Sequence, residues 1–221
     1  MTYTLKQLCD NALINAGTSD TLSSYIGNTD RQAMKAVRAA DEAVAQLRAS
    51  FNWEVLMTTK SVTFTSSQFY ALAADVELIH PNSLVNITNG TKYTAVSPER
   101  AATIEAGETD IDGTEVFIRT GSIKFLGTVT AGETFEFKYQ MNTAVVTTGA
   151  AVTERFAVDT DTCKLNDELV VLLMAIILRD NEGSDSRTLR ERFGRLFKRY
   201  TGADSYRTSV NLFNRKPIWF R

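Results

Sequence analysis

Few side chains in this 221-residue chain could do chemistry. There is one histidine, His80, which excludes any mechanism needing two imidazoles and any multi-histidine metal site. In Leu78-Ile79-His80-Pro81 it reads as a loop or strand-end residue. Cys9 and Cys163 lie far apart with no Cys-x-x-Cys, which fits a reducing compartment without a disulfide framework. Cys9 falls on an apolar helical stripe, where a free cysteine acts as a small hydrophobe. Asp110-Ile111-Asp112-Gly113 with Glu115 partly matches a calcium loop, but the later ligand spacing and terminal glutamate are missing, and Asx-turn formation is the better reading. Asp159-Thr160-Asp161-Thr162 precedes an apolar helix whose N-terminus those carboxylates could cap or complement. No Walker loop, GxGxxG, GxSxG, HExxH or Cys/His cluster is present. Catalytic residues, cofactor sites and metal sites are therefore not expected.

What remains is charge. The formal net charge of -2 comes from 24 basic and 26 acidic residues, but their distribution is uneven. Residues 1–185 hold 14 basic and 24 acidic side chains, and residues 186–221 hold 10 basic and 2 acidic ones. An acidic body thus carries a basic end, and such asymmetry usually belongs to a contact surface. Arg187, Arg190, Arg195, Lys198 and Arg199 oppose an apolar set of Leu189, Phe193, Leu196, Phe197 and Tyr200. A solvated helix face is the ordinary meaning of that pattern. Here the same sign continues through Arg207, Arg215, Lys216 and Arg221, which points to an acidic partner, either phosphate or a protein surface. Trp219 and Phe220 favour protein, since aromatic and arginine side chains are the usual interface anchors.

The elements that must position these residues begin with two helices. Thr4-Leu5-Lys6-Gln7 is a capping box, followed by Leu5, Leu8, Cys9, Ala12, Leu13 and Ala16 up to a stop at Gly17. Thr29-Asp30-Arg31-Gln32 opens a longer amphipathic helix with the stripe Ala33, Val37, Ala40, Val44, Leu47 and Phe51. From about Glu54 short β-branched and aromatic runs replace this pattern: Ser61–Thr65, Gln68–Leu72, Leu84–Thr88, Thr91–Val96, Glu115–Thr120, Ser122–Leu126 and Thr134–Met141. Turns are expected at Asn89-Gly90, Thr120-Gly121 and Ala131-Gly132, and a short helix at Pro98. The segment from Thr143 to Thr162 reads as an extended arm or irregular connection. An apolar helix from Leu165 to Arg179 needs neighbours all round, or a neighbouring subunit on one side. Its longest apolar run, Leu169 to Leu178, is ten residues, too short for a membrane span of roughly 20. The basic helix and an aperiodic tail follow.

The expected fold class is α+β: a four-helix-type bundle from both chain ends, an inserted antiparallel β-rich lobe, and an extended C-terminal tail. The divisions fall at residues 1–53 (N-terminal part of the bundle), 54–142 (β-rich lobe), 143–204 (connecting arm and C-terminal bundle helices) and 205–221 (tail). Nothing marks the chain for secretion or a membrane.

Three segments carry a resemblance. They are the N-terminal helix pair running into Phe51-Asn52-Trp53, the strand block with Phe69-Tyr70-Ala71-Leu72-Ala73-Ala74-Asp75, and Phe156-Ala157-Val158-Asp159-Thr160-Asp161 before the apolar helix with Arg179 to Asp185 and the basic helix after it. In these the chain resembles the head-to-tail adaptors of tailed bacteriophages, the connector group that includes the tail tubular protein of short-tailed phages. Ala73 stands where the family's pattern has proline. The resemblance implies a virion protein of the neck, assembled in the host cytoplasm, forming a ring commonly of twelve copies beneath the portal. Such a ring closes the head after DNA packaging, mounts the tail or nozzle protein, and lets the genomic DNA pass through its lumen. It implies no enzymatic reaction, no cofactor and no membrane. In this chain the portal-docking residues would be Arg207, Phe213, Arg215, Lys216, Ile218, Trp219, Phe220 and Arg221. Arg187, Arg190, Arg195, Lys198 and Arg199 would form a ring interface or basic face. The alternatives are a DNA-end-binding module using that basic helix, and a virion-associated glycan-binding or hydrolytic protein.

Overall fold

The computed structural model describes residues 2–18, 21–65, 69–80, 83–107, 113–119 and 121–202. The expected turn at Thr120 and the acidic pair Asp110 and Asp112 lie partly or wholly outside them, as does the tail from residue 203. The chain is mixed α+β and divides into two compact units, residues 1–55 with 143–221, and residues 56–142.

The first unit is helical. Helix α1 (Leu5–Ala16) starts at the expected box: the Thr4 hydroxyl accepts the Gln7 N–H at 3.4 Å, and the Gln7 side chain accepts the Thr4 N–H at 3.0 Å. It ends at Gly17, whose φ of 91° requires the left-handed conformation that glycine adopts without strain. Helix α2 (Arg31–Ser50) is capped by Asp30, which accepts the Gln32 N–H at 2.6 Å; Thr29 does not serve as the cap. Its buried face also differs from the expected stripe. Ala36, Ala39 and Ala43 are buried alongside Ala33, Ala40, Val44 and Leu47, and Val37 is only half-buried. An alanine face adds little hydrophobicity to a sequence pattern, yet its short side chains let helices approach closely.

Helix α4 (Asp167–Asn181) lies among α1, α2 and α5 (Arg187–Thr201). All ten residues from Leu169 to Leu178 are buried by this single chain. The apolar circumference of α4 therefore needs no second subunit to cover it, and its burial carries no argument for one. Asn166 caps the helix by accepting the Leu169 N–H at 3.1 Å.

The connection from residue 143 to 163 is not an irregular arm. It holds three short strands, β9 (Val145–Val146), β10 (Val152–Thr153) and β11 (Thr162–Cys163), with β9 pairing antiparallel to both of the others. Two-residue strands leave no periodicity to read. Carbonyls of the same segment take up the first free N–H groups of α1: Leu5 donates to Asp161 at 2.7 Å and Lys6 to Asp159 at 3.1 Å.

The second unit is built from two sheets. One has the order β1 (Met57–Thr63), β8 (Thr134–Met141), β3 (Val76–Ile79), with β4 (Val85–Asn86) also pairing β8. The other has the order β2 (Phe69–Ala71), β7 (Ser122–Phe125), β6 (Glu115–Arg119), β5 (Thr94–Ala95). Alternation along β7 and β8 turns Ile123, Phe125, Phe135, Phe137 and Tyr139 into a common core with Phe64. The rings of Phe64 and Phe125 meet edge to face at 4.6 Å between centroids. The lobe is not purely antiparallel. Strands β5 and β6 pair in parallel, because helix α3 (Pro98–Glu105) makes the crossover between them. Ala101 and Ile104 of α3 cover Phe117 and Leu126 on the opposite face of that sheet.

Candidate binding surface

The conspicuous charged feature of the helical unit is α5, and its docking begins with Leu189 and Phe193, both buried. Phe193 stacks on Phe197 with centroids 5.7 Å apart. Phe197 in turn meets Phe51 and Trp53 edge to face, at 6.5 and 6.0 Å. The indole N–H of Trp53 donates to the Leu47 carbonyl at 2.6 Å, tying the end of α2 to this aromatic group. Leu196 and Phe197 are half-buried, and Tyr200 is exposed.

The N-terminal turn of α5 is held by charge. Asp180 of α4 accepts the Ser186 hydroxyl at 2.6 Å and pairs with the guanidinium of Arg190, which also donates to Ser186 Oγ at 2.9 Å. Arg179 reaches the Ala16 carbonyl at 3.1 Å and the Asp185 carbonyl at 2.8 Å, linking the ends of α1 and α4 to the loop before α5. Arg192 pairs with Glu168 at 3.2 Å.

These contacts divide the basic set. Arg190 is half-buried and holds α5 to α4. Arg187, Arg195, Lys198 and Arg199 are exposed and have no ion-pair partner among the described residues. Sequence reasoning passed over Arg192, whose position beside Arg195 and Arg199 on the helical wheel was readable. Arg207, Phe213, Arg215, Lys216, Ile218, Trp219, Phe220 and Arg221 all lie outside the described residues.

Elsewhere the ionisable groups serve the fold. Burial pushes the Cys9 thiol far above its usual range, with Asp10, Asp159 and Asp41 adding to the shift. Burial likewise pushes Cys163 up to about 12, so both are protonated at neutral pH and poor nucleophiles. Asp159 and Asp161 do not cap the apolar helix. The Asp159 carboxylate accepts the N–H groups of Tyr25 at 3.0 Å and Ile26 at 2.8 Å, while Asp161 Oδ2 accepts those of Ala157 at 2.7 Å and Val158 at 2.9 Å. Each carboxylate thereby replaces water for a loop whose backbone has no ladder partner. In the β-rich unit Glu115 pairs with Arg100 at 3.3 Å and Glu105 with Lys124 at 2.8 Å. His80 is exposed at the end of β3.

Among the described residues no three His, Cys, Asp or Glu side chains gather as a metal ion would need. No helix among them is long and apolar enough to cross a membrane. A cleft of about 300 Å³ lies between ends of α1, α2 and α4, lined by Leu13, Asp30, Arg31, Lys35, Leu178 and Glu182 among others. Three of its charged groups are engaged, Lys35 on Glu182 at 3.2 Å and Asp30 in capping α2. The exposed face of α5 is thus the best-defined candidate for contact with another molecule. The chain matches no known protein-family model and no curated protein.

Proposed function

We propose that the protein is a structural head-to-tail adaptor of a tailed-phage virion, a ring-forming component of the neck that acts by binding and not by catalysis. In this reading residues 1–55 and 143–202 form a four-helix-type bundle that builds the ring, and the tail from residue 205 docks on the portal. The β-rich unit offers a mounting surface for the tail or nozzle protein, and genomic DNA passes through the lumen. The observation that supports it best is the organisation of the chain: helices from both termini pack into one unit, and the β-rich unit is inserted between them. That is the order of parts which the resemblance to the adaptor family implies. Support also comes from the charge of the C-terminal end. The segment beyond Gly202 carries four cations and a Trp-Phe pair after a helix already rich in arginine. Aromatic and arginine side chains anchor interfaces.

The test is assembly. Mixed with portal rings, the full chain should add a ring of density beneath the portal in electron micrographs. The chain lacking residues 205–221 should fold and fail to join. A truncated chain that assembles as well as the full one refutes docking through the tail. Absence of any ring with the full chain, under conditions in which the portal itself is intact, refutes the adaptor reading.

A further inference from the structure

The outward face of α5 carries a reading that does not depend on ring formation. At 100° per residue, Arg187, Lys198, Arg195 and Arg199 fall within an arc of about 120° and along about 18 Å of helix. All four are exposed and lack an ion-pair partner among the described residues. Glu191 is the one acid on this arc and Thr188 its uncharged member. No apolar side chain interrupts it, since Leu189, Phe193 and Phe197 all point to the other side, two of them buried.

That composition separates two kinds of acidic partner. A protein surface is held by a few desolvated anchors, aromatic or aliphatic side chains with arginine among them. A nucleic-acid backbone needs no apolar anchor, because its affinity comes from cations that displace condensed counterions from phosphates. An arc of guanidinium and ammonium groups with no ion-pair partner among the described residues and no apolar centre fits the second.

Gly194 adds an independent observation. It lies inside α5, where glycine is the poorest helix former after proline, and a Cβ built on it meets nothing within 4 Å. Packing within the chain therefore does not ask for glycine. Its neighbours one turn away are Arg190 and Lys198 at four residues and Glu191 and Phe197 at three, and Arg187 lies seven residues, two turns, before it. At the edge of the cationic arc, about 20° from Arg187, the missing side chain lets an anionic group come closer to the helix backbone than any side chain would allow, the use of glycine where a ligand approaches the main chain.

We infer that the face of α5 formed by Arg187, Arg195, Lys198 and Arg199 and bordered by Gly194 is a contact surface for the phosphate backbone of nucleic acid, without base readout. Arg190 and Arg192, engaged with Asp180 and Glu168, position the helix and are not the primary phosphate ligands.

The experiment measures binding of the full chain to a fluorescent 20-bp duplex of mixed sequence by anisotropy, between 50 and 200 mM NaCl. Four phosphate contacts alone correspond to a loss of affinity of about 150-fold over that range, and replacing the four cations by glutamine should flatten the log–log salt slope by about 3.6. The four side chains are exposed and have no ion-pair partner among the described residues, so thermal melting should show the variant folded; the double variant R187Q/K198Q should give about half the change in slope. Gly194→Leu should weaken binding at unchanged net charge. Wild-type affinity and slope in the four-fold variant would place any binding in the tail and overturn the proposal. Failure of the full chain to bind duplex at 50 mM salt would overturn it too. So would equal competition by polyglutamate at matched charge, which would assign the face to an acidic protein. None of these outcomes bears on portal docking, which the truncated chain tests separately.

Discussion

Replacing Gly194 by alanine should make the helical unit more stable and its nucleic-acid binding weaker, two effects of opposite sign from one methyl group. Gly194 lies near the middle of α5, and its Cβ would stand in open space, so no steric penalty offsets the gain in helix propensity. In a helix interior alanine is favoured over glycine by about 0.8–1.0 kcal/mol, because the unfolded chain loses less backbone freedom. A gain of that size should raise the melting temperature by about 2–4 °C for a protein of this length. The change leaves Arg187, Arg195, Lys198 and Arg199 in place, so a loss of duplex affinity would report close approach to the backbone and not charge. Melting followed by circular dichroism and anisotropy titration at 50 mM salt provide the two readouts. A lower melting temperature would refute the open environment of this position. Unchanged affinity in a stabilised protein would refute the role given to the missing side chain.

Three further outcomes follow from the packing and the shifted ionisations. Gly127→Ala should destabilise the β-rich unit by about 1–3 kcal/mol in urea titration, since the new Cβ would lie 2.4 Å from the Gly113 carbonyl oxygen and force the backbone to move. Burial raises the Asp41 carboxyl above its ordinary value, although the Phe156 N–H at 3.2 Å partly offsets the shift. The folded state then holds this proton more tightly than the unfolded one, so the contribution of Asp41 to stability is full below its unfolded value of 3.8 and is lost as pH rises through the folded value. Asp41→Asn should remove that part of the pH dependence and increase stability at neutral pH, as read from melting curves across the acid range. Cys9 and Cys163, buried with raised thiol ionisation, should resist iodoacetamide at pH 8 in the folded protein and react once it is unfolded; modification of either by mass spectrometry under native conditions would contradict their environment.

The parts of the fold that were legible are those governed by neighbours in sequence. The Thr4–Gln7 box and Gly17 bound α1 because caps satisfy the backbone groups nearest them. Seven of the strand segments, among them Glu115–Arg119 and Thr134–Met141, were visible as runs whose side chains suit a pleated, half-buried surface. Strand β3 was missed, its Val-Glu-Leu-Ile offering only four residues and a register shift against β8. The parallel β5–β6 pair was also missed, since pairing direction depends on where α3 returns the chain and not on the composition of either strand.

The candidate surface shows the same division. That the last helix is amphipathic and basic follows from its own fifteen residues, whose 3.6-residue period separates Leu189 and Phe193 from the arginines. Which of its cations are available does not. Arg190 and Arg192 are engaged because α4 brings Asp180 and Glu168 beside them, 10 and 24 residues away, whereas Arg187, Arg195, Lys198 and Arg199 meet no acid among the described residues. Likewise Asp159 finds the Tyr25 N–H 134 residues earlier in the chain, a contact that no local pattern encodes. The helices, both caps of α1 and the sign of the charge at the C-terminal end were legible in the amino-acid order, all set by interactions within a few residues. Which charges are satisfied depends on packing, because Coulomb attraction and hydrogen bonding act across space between segments that the chain order leaves far apart.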